Sequence, residues 1–136
     1  LLNVPPDTRG RIDPADSTVL MEFRALREKA FAHDLAAGAR LRKSRDADIY
    51  ELRLRRESSL NCIVLQEDIT LGQRVRSFEV EALTDGGWKP VGSGTTIGYK
   101  RILMLEPVRT RHLRLRITGS LAAPIFKEIS LYDYEI

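Results

Sequence analysis

Cysteine is nearly missing from this sequence. Cys62 is the only one among 136 residues, so no disulfide can close within the chain. It sits beside an apolar run and reads as a small buried hydrophobe rather than a nucleophile. Histidine stops at two, His33 and His112, far apart and without cysteine neighbours, so no zinc motif forms and no metal or cofactor is expected. No apolar run approaches the roughly 18 residues of a membrane span, and no charged-then-apolar leader opens the chain. Nucleophile elbows and phosphate loops are missing too. Gly92-Ser93-Gly94 and Gly98 are too sparse for a phosphate cradle, lead into no helix and read as turns. The chain opens on Leu1-Leu2-Asn3 without a methionine, and the expectation is a piece cut from something longer.

What is present is a β-rich core. Hydrophobic residues make up 43% of the chain, enough to build a core without metals or disulfides. Phe78, Val80 and Ala82 point one way and Ser77, Glu79 and Glu81 the other, the period of a strand with one dry face and one wet face. Asp85-Gly86-Gly87 makes a tight reversal that leaves Trp88 to open the partner strand of a hairpin. Tyr50, Leu52 and Leu54 alternate with Glu51, Arg53 and Arg55 in the first strand. Further strands are expected at Ile63–Leu65, Ser77–Leu83, Lys89–Ser93, Lys100–Leu105, Leu113–Thr118 and Ile129–Ile136, with Pro107 breaking the chain. Faces of this kind must bury against each other, so the fold class is mainly β: an antiparallel β-sandwich of jelly-roll type.

One α-helix precedes it. Asp13 is the cap, Pro14 suits the first helical position and Asp16 complements the positive end of the helix dipole. The helix is expected from Pro14 to Ala36, with Gly38 as its stop, and Val19, Phe23, Leu26 and Ala30 as its apolar stripe. That stripe needs a surface to dock on. Residues 39–48 read as a loop. The expected division is therefore 1–38, a rigid turn and helix, and 39–136, the sandwich.

The formal charge is +3, carried mostly by arginine at alternate positions: Arg53 and Arg55, then Arg114 and Arg116. A basic sheet face could meet phosphate. The reading adopted is a solvated strand face offset by Glu51, Glu57, Glu79 and Glu81 across the sheet. Aromatics do not interleave with these arginines, so no nucleic-acid partner is expected. Glu67-Asp68 is the nearest thing to a catalytic carboxylate pair, yet adjacent strand residues face opposite sides. The candidates for ligand contact are Trp88, Tyr99, Lys100 and Arg101, since sugars stack on an aromatic ring while charged groups satisfy their hydroxyls. A lone tryptophan after a hairpin turn also fits the sandwich core.

These residues carry a family resemblance. Leu1-Leu2-Asn3-Val4-Pro5-Pro6-Asp7-Thr8-Arg9-Gly10 resembles the end of the catalytic barrel in glycoside hydrolase family 29, the α-L-fucosidases, where such a run precedes a glycine and a capped helix. Val64-Leu65-Gln66-Glu67, Gly72-Gln73-Arg74-Val75, Gly94-Thr95-Thr96-Ile97-Gly98-Tyr99-Lys100-Arg101, Leu115-Arg116-Ile117-Thr118 and Ile129-Ser130-Leu131-Tyr132 resemble the sandwich that trails it. The resemblance implies a retaining hydrolase whose nucleophile and acid/base carboxylates lie upstream on the barrel, so this chain by itself carries no catalytic residue and is expected to be inactive. Asn3 becomes a candidate neighbour of the active site, at the rim where barrel sites form. The sandwich resembles the galactose-binding, discoidin-like (coagulation factor 5/8 type C) class, whose members often bind carbohydrate or calcium. It departs from that class in the short 36–50 stretch and in the apolar Leu121-Ala122-Ala123-Pro124 turn.

Two roles follow. The preferred one is a structural buttress of the parent chain's catalytic barrel, and the alternative is a carbohydrate-binding module holding fucosylated or galactose-containing oligosaccharides. A membrane partner is not expected. The implied localisation is secreted, periplasmic or lysosomal.

Overall fold

The computed structural model describes residues 4–46 and 48–135. Contacts divide the chain into two units: Leu1–Ala32 with Glu135–Ile136, and His33–Tyr134. The first contains helix α1, Pro14–Ala30. The Asp13 carboxylate accepts from the Ala15 amide at 2.8 Å, Pro14 follows it, and Arg24 pairs with Glu28 one turn on at 2.7 Å. The helix stops at Ala30, short of the Ala36 expected from its periodicity. Phe31 caps it, returning its amide to the Arg27 carbonyl, and the residues that follow have stronger partners elsewhere. Asp34 accepts from the amides of Ala36 and Leu131, both at 2.9 Å, and Leu35 donates to the Leu131 carbonyl. Those bonds take 34–36 out of the helix. No residue of α1 is buried, and Val19, Phe23 and Leu26 are 57%, 50% and 58% exposed.

The second unit is built on two long antiparallel strands, β2 (Ile49–Glu67) and β5 (Arg101–Ser120). Around them lie β1 (Arg42–Lys43), β3 (Val75–Thr84), β4 (Gly87–Gly94) and β6 (Phe126–Tyr132). Every pairing is antiparallel, with strand order β1-β2-β5-β3-β4 and β6 on β2. The early part of β2 pairs with the late part of β5 (Leu52 with Leu113), and its late part with the early part of β5 (Ile63 with Leu103); the register shifts after Arg53 and after Leu60. Each long strand therefore serves two sheets. One is β1-β2-β5-β3-β4 and the other is β5-β2-β6.

The alternation seen in the sequence becomes the core. Ala82, Leu113 and Leu52 lie in one row across three strands, and Val80, Leu115 and Tyr50 in the next. Leu52, Val80, Leu113 and Leu115 from one sheet line the same void as Ile63, Leu65 and Ile129 from the other. That void is about 10 Å³, at or below the room one water needs, so the two inner faces close on each other as a sandwich. The mainly β, antiparallel sandwich with one helix is the observed fold class.

Several boundaries differ from the sequence reading. Ile49–Glu67 is one strand rather than two, and Pro107 does not break β5. Three residues, Leu105 to Pro107, lie opposite Asn61 alone at the register shift, so the proline occupies a bulge where no ladder amide is required. Residues 42 and 43 pair with Glu51 and Tyr50 rather than forming loop. The last strand is Phe126–Tyr132 rather than Ile129–Ile136. Gly92-Ser93-Gly94 is strand rather than turn. A Cβ at Gly92 would stand 2.6 Å from Leu105 and one at Gly94 2.7 Å from the Phe78 ring, so glycine here admits core side chains instead of reversing the chain. The reversal lies at Asp85-Gly86, with Gly87 alone at positive φ, as in a type I turn closed by a left-handed residue.

Phe78 is 1% exposed and cannot swing away from an added methyl. Gly94→Ala should therefore destabilise the fold by about 1–3 kcal/mol, read as a drop in the urea midpoint at constant m. A loss below about 0.5 kcal/mol would mean that the strand moves freely off the Phe78 ring.

Candidate functional site

At one end of the sandwich a single carboxylate gathers the loops. Glu67, the last residue of β2, is 2% exposed. Its Oε1 accepts the amides of Arg74 and Val75, both at 3.0 Å, and its Oε2 accepts Gly98 at 2.9 Å. Arg74 in turn donates from Nη1 to the Ala123 carbonyl at 2.7 Å and accepts the Leu121 amide on its own carbonyl. Three loops are thus tied to one buried group. Three backbone amides and near-complete burial make Glu67 a clamp for these loops. Asp68 is equally occupied: its Oδ1 caps the 3-10 turn Ile69–Leu71 through the Thr70 amide and hydroxyl, which holds its carboxyl below the usual range. Both carboxylates are thus engaged in local backbone structure.

Tyr99, Lys100 and Arg101 stand at this end. Tyr99 is 65% exposed, with the Lys127 ammonium 6.0 Å from its ring centroid. Lys100 is exposed, and Arg101 is half-buried opposite Leu65 at the start of β5.

Trp88 stands at the other end, opposite Leu83. From Val75, which shares Glu67 with Gly98, β3 runs eight residues to Leu83, about 27 Å at strand rise. The four residues singled out as ligand contacts therefore do not form one site: three cluster near Glu67, and Trp88 lies apart. Asn3 lies outside the described residues.

Around Trp88 the outer sheet face is polar. The Arg114 guanidinium lies 4.3 Å from the indole centroid and bonds Glu81, which Arg116 also approaches at 3.5 Å. Glu81 is nearly buried, and the hydrogen bond from Arg114 holds its carboxyl below the ordinary range. Arg109 pairs with Glu57 at 2.8 Å. The cross-sheet compensation read from the sequence is thus observed for Arg114 and Arg116. Beyond the pair lies a groove of about 890 Å³, walled by Trp88, Leu83, His112, Arg53, Arg42 and Arg40 among others. A second cleft, of about 730 Å³, separates 36–43 from 124–129, with Tyr50 packed edge-on against Phe126 at its base. Cys62 is fully buried, and burial pushes its thiol up, away from reactivity. Among the described residues no group of three or more His, Cys, Asp or Glu side chains could hold a metal ion.

No family model matches the chain. An Oryza sativa subsp. japonica protein provisionally named alpha-L-fucosidase 1 is 33% identical over 162 residues, covering 97% of this chain and 31% of that protein. Alpha-L-fucosidase 1 of Arabidopsis thaliana is 29% identical, covering 97% of this chain and 32% of its own. Among solved structures, a glycoside hydrolase 29 family member from an unknown rumen bacterium superposes with a TM-score of 0.85 at 30% identity, over 100% of this chain and 26% of that one. The two plant relatives are thus named as α-L-fucosidases, and the superposed bacterial structure as a member of glycoside hydrolase family 29.

The chain spans about a third of the length of these curated fucosidases. A looser likeness, in fold alone, is to the family 32 carbohydrate-binding module of C. perfringens NanJ, solved with galactose: TM-score 0.54 at 14% identity, over 62% of this chain. No helix among the described residues is long and apolar enough to cross a membrane.

The Glu67 clamp was not legible in the sequence, because its three partners come from positions 7, 8 and 31 residues away. Glu67→Ala strands three amides and should cost at least about 3 kcal/mol in urea unfolding; a loss under about 1 kcal/mol would deny the clamp its role. Glu81 gives a pH signature. Its folded pKa is depressed, so its stabilising contribution is present above the unfolded value of about 4.3 and is lost as pH falls through the folded one. Glu81→Gln should therefore be less stable than the parent sequence at pH 7, and the gap should begin to narrow below about pH 4 and vanish only once pH has fallen below the depressed folded value. A gap that is constant with pH would rule out the charged pair as its cause.

Proposed function

We propose that this chain is the C-terminal accessory portion of an α-L-fucosidase, and that it buttresses the catalytic barrel of its parent. Retaining hydrolysis of α-L-fucosyl linkages belongs to that barrel, and the compartment is one that handles exported glycans: secreted, periplasmic or lysosomal. The observation that carries the buttress role is the stripe on α1. Val19, Phe23 and Leu26 recur at helical spacing and are each half exposed or more. Each large apolar side chain, once covered, contributes about 1.5–3 kcal/mol, so a facing surface would gain several kcal/mol from this stripe. The outer face of the β5-β2-β6 sheet adds to it. Ile102 and Met104, 50% and 53% exposed, flank Val64 and Cys62 in register.

The second reading, a carbohydrate-binding module, is favoured by one observation: the groove beside Trp88.

Phe23→Asp combined with Leu26→Asp separates a docking stripe from a solvated one. In the parent-length enzyme the pair should lower Tm by at least about 3 °C. In the present chain it should leave the urea midpoint of the sandwich unchanged. The present chain should release no fucose from an aryl fucoside above a heat-treated control. An unaltered Tm in the parent enzyme would sink the buttress role.

A further inference from the structure

The groove beside Trp88 lies where the five-strand sheet meets residues 38–42, and register places much of its lining. Arg53 lies opposite His112, and Leu83 opposite Trp88. The β3–β5 ladder reaches Ala82 with Leu113, and one step further brings Leu83 beside His112. Arg53, His112, Leu83 and Trp88 therefore form one row over four adjacent strands, about 14 Å across. Arg42, on β1, lies opposite Glu51 next to that row, and Arg40 closes the groove with Gly38 and Ala39.

The two walls differ chemically. Trp88 and Leu83 are apolar, and the Arg114 guanidinium, itself bonded to Glu81, packs over the indole. The opposite wall has three exposed guanidiniums, Arg40, Arg42 and Arg53, none of them paired with a carboxylate among the described residues. Glu51 is the one acidic residue in the lining, so the groove carries a net positive charge. Unpaired guanidiniums are fork-shaped donors suited to sulfate and carboxylate oxygens. A single indole is too little for a nucleic-acid strand, which needs successive stacking rings. At about 890 Å³ the groove has the size of a small-molecule site.

We propose that this groove binds an anionic oligosaccharide, its sulfate or carboxylate groups on Arg40, Arg42 and Arg53 and a sugar ring against Trp88 and Leu83. The site is distinct from the Tyr99 end, and it does not depend on the buttress role.

Trp88 is the only tryptophan, so its fluorescence reports the groove directly. The chain is titrated with a heparin-derived tetrasaccharide, with trigalacturonate, with neutral galactotriose and with inorganic sulfate. Saturable change is expected with at least one of the two acidic sugars, weakening as ionic strength rises through about 0.1 M. A response to the heparin fragment alone identifies sulfate as the anion, and a response to trigalacturonate alone identifies carboxylate. Arg42→Gln with Arg53→Gln, both at exposed positions, should weaken binding about tenfold or more. Lys100→Ala at the far end should leave it unchanged, and all variants should keep the parent urea midpoint. The proposal is overturned by a flat response to both acidic sugars at millimolar concentration. Equal binding of galactotriose, a response matched by inorganic sulfate alone, or binding undiminished in the double arginine variant would also overturn it.

Discussion

The structure depends on two strands that are too long for one sheet. β2 has 19 residues and β5 has 20, and pairing them straight would give a single ribbon with one open face. The register shifts after Arg53 and Leu60 bend both strands together. Their early and late halves then face each other with Leu52 and Leu113 on one side of the core and Ile63 and Leu65 on the other. Bulges increase local twist and re-aim side chains, which is how one antiparallel pair can supply the centre of both layers. The remaining strands add to edges that this pair creates.

The same bend sets the two ends apart. Glu67 marks the point where β2 stops, and a carboxylate there replaces the ladder bonds that the departing loops would otherwise lack. At the opposite end, the β3–β4 hairpin brings Trp88 under Arg114 and next to Leu83. A loop cluster held from inside and a groove lined from outside are therefore products of one topology. Similarity to the fucosidases extends over nearly all of the chain. The groove's chemistry, by contrast, rests on this chain's own arginines.

Much of the sandwich was readable from alternation, because burial on one strand face acts residue by residue. Tyr50, Leu52 and Leu54, and likewise Phe78, Val80 and Ala82, are buried where their period put them. What alternation cannot carry is register. The bulge at Pro107, the joining of Ile49–Glu67 into one strand and the row from Arg53 to Trp88 all depend on which residues lie opposite one another across the ladder. Trp88 and Tyr99 are near in sequence, yet β4 runs between them and carries them to opposite ends. The helix end was misplaced for a related reason. Asp34 finds better partners in Ala36 and Leu131 than another helical turn offers, and Leu131 lies 97 residues away.

The Asp34–Leu131 contact also bears on how the molecule behaves in company. A sheet edge with free amides and carbonyls invites a second chain to add a strand, and several edges here carry features that oppose it. On β6 the Leu131 carbonyl accepts from the Leu35 amide and the Leu131 amide donates to the Asp34 carboxylate. β1 offers only Arg42 and Lys43. β4 is interrupted by Pro90, which has no amide to give, and the free side of early β5 by Pro107 and the charges of Glu106 and Arg109. In a protein of one helix and six strands, these features disfavour the addition of a second chain's strand at the edges.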